Sequence, residues 1–225
     1  MRMDHPRILV TGFDPFGSHF VNPSQDLAKA VDGRRVGGAM VTGMVLPVQH
    51  TRVAAALEPL LDDIDPSAIL HLGLAAGRTR LALERVAVNV MDYHLPDADG
   101  YCARGEACVP GGPAAYFSTL PLAAMHAALT AAGIPAYVSN TAGTYLCNHT
   151  MYWTLNRLQS HSKPVLAGFV HLPLLASMVA ATGTDEPSMD FGLMLRAVEV
   201  ALATIAERLL ADSRVPPTPP EERTA

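Results

Sequence analysis

The sequence predicts an α/β protein in which helices cover both faces of a β-sheet. Short apolar runs alternate with amphipathic segments along the whole chain, which is the pattern of that architecture. The chain has 225 residues, 49% hydrophobic and 16% charged, so it can bury the core of one domain. We therefore expect a single domain over residues 1–213 and a disordered Pro/Glu-rich tail over residues 214–225.

Apolar runs of strand length predict the members of the sheet. They cover residues 7–13, 39–48, 68–74, 80–90, 136–140 and 164–173. The run 68–74 is apolar throughout, as expected of a central strand that is buried on both faces. The run 80–90 carries Glu84 in its middle, and a carboxylate in such a run is not expected to be buried without a partner.

Helical segments lie between these runs, and their ends are marked by capping residues. They cover residues 24–33, with Ser24 as the cap and Gly33 as the stop, and residues 52–64, 120–133 and 188–213. A further helix is predicted to begin near Thr144. The segment 92–113 is rich in Gly and Asp and lacks an apolar period, so it is expected to be a functional loop that covers a site and is mobile.

Composition and charge argue against several classes of protein. The net charge is −5 without a Lys/Arg run, so no nucleic-acid partner is expected. No apolar stretch reaches the ~18 residues of a membrane span, and the N-terminus lacks a secretory apolar segment. The three cysteines do not form a disulfide framework, so a reducing, cytoplasmic setting is expected.

The stretch "SNTAGTYLCNHTMYW" (139–153) places Cys147 where a small-residue turn opens into a helix. A thiol in the first helical turn is close to free backbone N–H groups and to the positive end of the helix dipole. Both favour a thiolate, and the N–H groups could also hold an oxyanion. Cys147 is therefore a candidate nucleophile, although most free cysteines are small buried hydrophobes.

A nucleophilic cysteine needs a base and a group that orients the base. His171 ends the run 164–173, and sites in α/β sheets gather at the carboxyl ends of strands, so it is expected at the same sheet edge as Cys147. A satisfied histidine at a strand terminus is the alternative. Glu84 is the candidate orienting group, and an edge ion pair with Arg85 is its alternative.

Metal and phosphate chemistry have little support in the sequence. Cys102 and Cys108 are separated by five residues and have no nearby His pair, which is not a zinc spacing. "TGFDPFG" (11–17) lacks both the Lys-Ser/Thr of a P-loop and the three-glycine dinucleotide pattern. We therefore expect no metal site here and neither a phosphate-binding loop nor a dinucleotide-binding loop.

Seven blocks of the chain together resemble a known family. They are "VTGFDPFG", "NPS", "LERVAVNVMDYHLPD", "GPAAYFSTLP", "SNTAGTYLCNHTMYW", "AGFVHLP" and "PSM". In this order they are similar to the pyroglutamyl peptidase I (pyrrolidone-carboxylate peptidase) family of cysteine peptidases, over about residues 7–210. The resemblance implies a three-layer α/β/α sandwich around a mixed, mostly parallel sheet.

The resemblance also implies the chemistry. The family's catalytic triad falls on Glu84, Cys147 and His171, which would hydrolyse the bond after an N-terminal pyroglutamyl residue of a peptide through a thioester acyl-enzyme, without a cofactor. An apolar slot would suit the flat, neutral lactam. By resemblance, the residues that line this slot are Phe13, Phe16, Leu95, Tyr145 and Leu146.

Two positions depart from the family pattern. His94 stands where relatives commonly have Arg, and Leu74 stands where some have Gln. A non-catalytic, pyroglutamyl-peptide-binding relative on the same scaffold is therefore the alternative function, and a nucleoside-type phosphorylase rests only on general fold analogy. Prokaryotic members of the family are often tetramers, so a homo-oligomer is expected.

Overall fold

The computed structural model describes residues 5–17 and 20–213, and the predicted tail at 214–225 lies outside them. The strands are β1 (Arg7–Phe13), β2 (Arg35–Val36), β3 (Ala39–Leu46), β4 (Ala68–Leu74), β5 (Leu81–Glu84), β6 (Val86–Val88), β7 (Met91–Asp92), β8 (Arg104–Glu106), β9 (Ala115–Phe117), β10 (Ala136–Ser139), β11 (Leu166–Leu172), β12 (Leu174–Leu175) and β13 (Ser188–Met189). The helices are α1 (Pro23–Val31), α2 (His50–Ile64), α3 (Leu122–Ala131), α4 (Leu146–Leu158), α5 (Ala176–Thr182) and α6 (Phe191–Asp212).

A seven-stranded sheet in the order β10-β5-β11-β4-β1-β3-β2 runs through the protein. Strands β1, β3, β4 and β11 are parallel, whereas β5 pairs antiparallel with β11 and β2 antiparallel with β3. Helices α1, α3 and α6 pack together on one face, and α2 and α4 contact each other on the opposite face. The predicted three-layer α/β/α fold around a mixed, mostly parallel sheet is confirmed.

The side chains of β4 divide between two core clusters, as the alternation of a strand requires. Leu70 and Leu72 belong to the cluster that includes α1, α3 and α6, and Ile69 belongs to the cluster that includes α2 and α4. His71 and Gly73 share a face with Ile69 because the side-chain period of a strand is two. The face that packs against α4 therefore carries the polar residues of the centre of the sheet.

The single strand predicted over residues 80–90 is wrong. Arg85 interrupts it: its N–H donates to Ser139 O at 2.8 Å and its carbonyl accepts from Ser118 N at 2.8 Å, so two different segments hold its backbone. The chain leaves the main sheet there, and β6 pairs with β9 in a separate two-stranded sheet.

Several element boundaries also differ from the predictions. Asn22 caps α1 with its side chain, and Pro23 rather than Ser24 begins the helix. Asp190 caps α6, because residues 188–189 extend along β12 as β13. The segment 92–113 is not without regular structure, since β8 pairs with β7. The short elements β2, β9, β12 and α5 had no sequence prediction, whereas β13 occupies residues that were predicted to be helical.

No helix in the described part of the chain has both the length and the apolar character that a bilayer crossing requires. The assignment of residues 1–213 to one domain stays a prediction.

Candidate active site

The geometry of the site begins with a buried, hydrogen-bonded pair of side chains on the α4 face of the sheet. His171 lies near the end of β11 and Glu84 at the end of β5, and these two strands pair antiparallel with Glu84 opposite Phe169. This pairing places both side chains on one face, two residues apart along β11. His171 Nδ1 and Glu84 Oε1 are 2.7 Å apart, with side-chain exposures of 5% and 0%.

Cys147 reaches this face because α4 crosses above β4. Gly73 pairs with His171 in the β4–β11 ladder, and a Cβ on Gly73 would lie only 3.0 Å from Cys147 Sγ. Paired residues of parallel strands project from the same face, so the thiol lies over the strand position beside His171. The missing side chain of Gly73 makes room for the sulfur.

The route by which Cys147 arrives differs from the prediction. Strand β10, which precedes it, pairs parallel with β5 and therefore runs opposite to β11. The carboxyl ends of β10 and β11 consequently lie at opposite edges of the sheet, so the strand-end argument for a shared edge is wrong. The connection 140–145 instead carries the chain back over the sheet, and Asp92 N donates to Thr144 O at 3.1 Å within it.

The first turn of α4 keeps its backbone donors uncapped. The helix begins at Leu146, its N-cap is Tyr145, and no side chain accepts a hydrogen bond from the turn. The N–H groups of this turn are therefore available to a negatively charged atom at the thiol.

Burial nevertheless decides the resting protonation of the thiol. It raises the pKa of Cys147 to about 12, and the charge of Glu84 acts in the same direction, whereas the backbone N–H of Cys147 and the charge of Arg78 act against it. Burial therefore opposes the thiolate that the helix terminus favours, because a buried charge loses its hydration.

The base is also neutral at rest. Burial lowers the pKa of His171, and this effect is partly offset by the hydrogen bond and charge of Glu84. With Nδ1 directed at Glu84, the Nε2 atom is the nitrogen that can accept a proton. A thiol and a neutral imidazole thus share the site before substrate binds.

A cavity of about 440 Å³ joins these groups to solvent. All five residues assigned to the slot by resemblance line it, together with Cys147 and His171. Glu84 is not among the lining residues, because it lies behind His171 within the sheet. The two departures, Leu74 and His94, also line the cavity.

Aromatic rings form much of its wall. The rings of Phe16 and Tyr145 stack with their centroids 6.0 Å apart. The ring centroid of Phe13 lies 6.4 Å from that of Phe169 in the sheet. The Tyr145 hydroxyl donates to Pro96 O at 3.2 Å, which ties the segment bearing Leu95 to the start of α4. Apolar and aromatic side chains therefore form much of the slot, and a hydrogen bond ties its wall to the helix that carries the thiol.

Sequence reasoning did not select Arg78, although it lines the cavity beside His171. The guanidinium of Arg78 lies 3.4 Å from Glu84 Oε1. A signal was available, because the turn "AAGR" (75–78) directly follows the central strand β4, and turns at the carboxyl ends of strands form sites.

The described residues contain no group of three or more His, Cys, Asp or Glu that could hold a metal ion. All three cysteines are free.

Comparison with known proteins gives consistent matches over nearly the whole chain. A sequence model of the pyroglutamyl peptidase family matches residues 6–208. The pyrrolidone-carboxylate peptidase of Pyrococcus furiosus is 42% identical over 207 residues, which covers 91% of this chain and 100% of the relative. That of Escherichia fergusonii is 43% identical over 197 residues, 88% of this chain and 91% of the relative.

Solved structures agree with the sequence matches. The pyrrolidone carboxyl peptidase of Thermococcus litoralis superimposes with a TM-score of 0.89 at 38% identity, over 92% of this chain and 96% of the other. A structure of the Pyrococcus furiosus enzyme gives 0.87 at 42% identity, over 90% and 99% of the two chains.

Proposed function

The chain belongs to the pyroglutamyl peptidase family and, as a pyroglutamyl peptidase, hydrolyses the bond after an N-terminal pyroglutamyl residue; we propose that Cys147, His171 and Glu84 perform this reaction. The observation that carries the proposal is the buried 2.7 Å contact between His171 and Glu84 on the sheet face over which Cys147 lies.

The reaction begins with attack of Cys147 Sγ on the carbonyl carbon of the pyroglutamyl residue. His171 Nε2 accepts the thiol proton as the new C–S bond forms, because neither group is charged at rest. Glu84 stabilises the resulting imidazolium and fixes the ring orientation through Nδ1. The N–H groups of the first turn of α4 donate to the oxyanion.

The second half of the reaction releases both products. The imidazolium of His171 gives its proton to the leaving amine, the C–N bond breaks, and a thioester to Cys147 remains. Water, deprotonated by His171, then attacks the thioester and frees pyroglutamate together with the thiol. No step needs a metal or another cofactor.

The slot accounts for the choice of substrate. Pyroglutamate is a flat, neutral lactam with one N–H and one C=O, so it gains from apolar walls and a few backbone partners. We assign these walls to Phe13, Phe16, Leu95, Tyr145 and Leu146, which line the cavity next to the thiol.

Release of fluorescent amine from pyroglutamyl-aminomethylcoumarin tests the proposal. Wild-type protein should cleave this compound and leave the prolyl analogue intact, while Cys147→Ser should lose nearly all activity. Folded wild-type protein that binds pyroglutamyl peptides without turnover would instead support the non-catalytic alternative, which is motivated by Leu74 and His94 in the cavity wall.

We further propose a cytoplasmic homotetramer. The required free thiol and the two other unpaired cysteines favour a reducing compartment. Phe20 and Phe117 are 96% and 68% exposed, which favours burial between subunits. Light scattering coupled to gel filtration tests the subunit number, and a monomer over the working concentration range would contradict it.

A further inference from the structure

The Glu84 carboxylate has an unusual set of neighbours for a buried charge. Its Oε1 atom faces both His171 Nδ1 at 2.7 Å and the guanidinium of Arg78 at 3.4 Å. Its Oε2 atom has no hydrogen-bond partner among the residues described. A carboxylate with no exposed surface loses its hydration, and nearby cations or hydrogen-bond donors offset that cost. Neutral His171 supplies one hydrogen bond but no charge.

Arg78 is the group that supplies the charge. It lies in the turn between β4 and β5, and its side chain is 24% exposed, so its guanidinium reaches inward from the rim of the sheet. An ion pair with one fully buried partner is screened much less by solvent than a surface pair. Arg78 therefore acts on Glu84 more strongly than an exposed cation would.

The edge strand β10 holds Arg78 in place. Arg78 Nη1 donates to the hydroxyl of Tyr137, and the Tyr137 ring centroid lies 6.0 Å from the Arg78 guanidinium carbon. The Arg80 guanidinium carbon also lies over this ring, 4.7 Å from its centroid. Arg80 is exposed, however, and the close contacts of the Glu84 carboxylate are made to Arg78 and His171. The Tyr137 ring thus contacts both arginines, but only Arg78 reaches the triad.

We propose that Arg78 is a positioning residue of the triad, whose guanidinium, held by Tyr137, pairs with the Glu84 carboxylate and keeps it directed at His171 Nδ1. This inference rests on the proposed triad. At rest the buried group of Arg78, Glu84 and His171 has one positive and one negative charge, so its net charge is zero. The imidazolium that forms during attack then has the Glu84 carboxylate already in position beside Nδ1.

The charged and titratable groups that face this cluster come from each neighbouring element. They are Cys147 on α4, His71 on β4, Tyr137 on β10 and His94 in the cavity wall. In addition to burial, the charge of Arg78 lowers the pKa of His171, so its removal makes the imidazole easier to protonate. The acid limb of activity must therefore move to higher pH.

The experiment compares Arg78→Ala, Arg78→Lys and Arg80→Ala by kcat, KM and the pH profile of pyroglutamyl-aminomethylcoumarin cleavage. Arg78→Ala should lower kcat by about 10–100-fold with KM changed less than about threefold, and should raise the pH of the acid limb. Arg78→Lys should recover at least about tenfold of the loss. Arg80→Ala is the matched control, because it removes the same charge from the same turn and should leave all three quantities unchanged.

A second measurement does not depend on turnover. The rate of Cys147 alkylation by iodoacetamide, followed by peptide mass spectrometry, reports how the thiol and its neighbours titrate in the free protein. The midpoint of the pH profile of this alkylation rate should shift in Arg78→Ala and should equal that of wild type in Arg80→Ala.

Three outcomes would overturn the inference. A rise in KM alone would make Arg78 a substrate contact. A lower melting temperature with unchanged kcat and pH profiles would make it merely structural. Failure of lysine to restore kcat would remove the role of charge. If wild type does not cleave, or Cys147→Ser cleaves equally well, the proposed function itself is wrong, which separates the two failures.

Discussion

Two glycine residues leave space that neighbouring side chains and backbone occupy. Gly73 leaves space for Cys147 Sγ beside His171, since its Cβ would lie 3.0 Å from the sulfur and 2.6 Å from Phe169 Cζ. Gly12 has a similar role in the fold, because a Cβ there would lie 2.0 Å from Ser24 O at the start of α1. Close approach, rather than an unusual backbone angle, explains glycine at both positions.

Gly73→Ala should reduce activity by displacing the thiol. The added methyl group would lie too close to Phe169 and in tight contact with the sulfur, so these side chains must move. Because displacement of a reacting atom by about 1 Å can cost about 100-fold in rate, we expect kcat to fall by about 10–100-fold. Steady-state kinetics at a temperature well below the melting point would measure the loss. Wild-type rates, with the variant shown to be folded by circular dichroism, would refute this account of the Gly73 position.

Glu84→Gln should lower kcat by about 10²–10⁴-fold while keeping the shape of the side chain. The carboxylate raises the pKa of His171 against the effect of burial, so its loss lowers that pKa and moves the acid limb of activity to lower pH. This direction is opposite to that expected for Arg78→Ala. A pH–rate profile that does not move, or that moves upward, would contradict the proposed pairing.

Secondary-structure elements contribute through their ends. Helix α4 begins without a side-chain cap, as α3 and α5 also do, whereas α1 and α6 are capped by Asn22 and Asp190. What distinguishes α4 is that its uncapped N–H groups lie next to the Cys147 thiol, where they could donate to a negatively charged atom.

Removal of the α6 cap should therefore affect stability and leave catalysis unchanged. Asp190 Oδ1 accepts from Leu193 N at 3.2 Å, and Asp190→Ala should lower the free energy of unfolding by about 1 kcal/mol. Urea denaturation measures this loss, and the exposed Asp185→Ala provides a control with the same change of charge. Equal stabilities of the two variants would show that the cap contributes nothing.

One of the two buried cores of the protein contains polar side chains. His71 is fully buried at the centre of the sheet, where Nδ1 lies 2.7 Å from Thr11 Oγ1 and Nε2 lies 3.0 Å from Thr154 Oγ1. These contacts join β1, β4 and α4 behind the site. Burial lowers the pKa of His71 to about 3 and that of His149 to about 4, so both histidines are neutral in the folded protein at neutral pH.

Acid should consequently destabilise the protein well before its carboxylates titrate. Unfolded histidine binds a proton below a pKa of about 6.5, whereas the folded protein excludes it, so stability is complete above that pH and falls as the pH decreases. Each of the two histidines should contribute about 2 kcal/mol of this loss between pH 7 and pH 5.

Urea denaturation of wild type and of His149→Leu at pH 7 and pH 5 would measure the effect. His149 Nδ1 has no partner among the described residues, so this variant removes the titration without breaking a hydrogen bond of that atom. The variant should lose less stability on acidification than wild type. An equal loss in both proteins would assign the effect to other groups.

The sequence by itself determined the α/β class, the main strands and helices, and the candidates Cys147, His171 and Glu84, because hydrophobic period and helix-start signals are local properties. Only the tertiary structure decided the directions of β5 and β10, the space over Gly73 and the contact of Arg78 with Glu84. Strand order and direction depend on hydrogen bonds between distant segments, which no local period encodes. The protonation of the thiol likewise depends on burial, and burial exists only once the layers have packed.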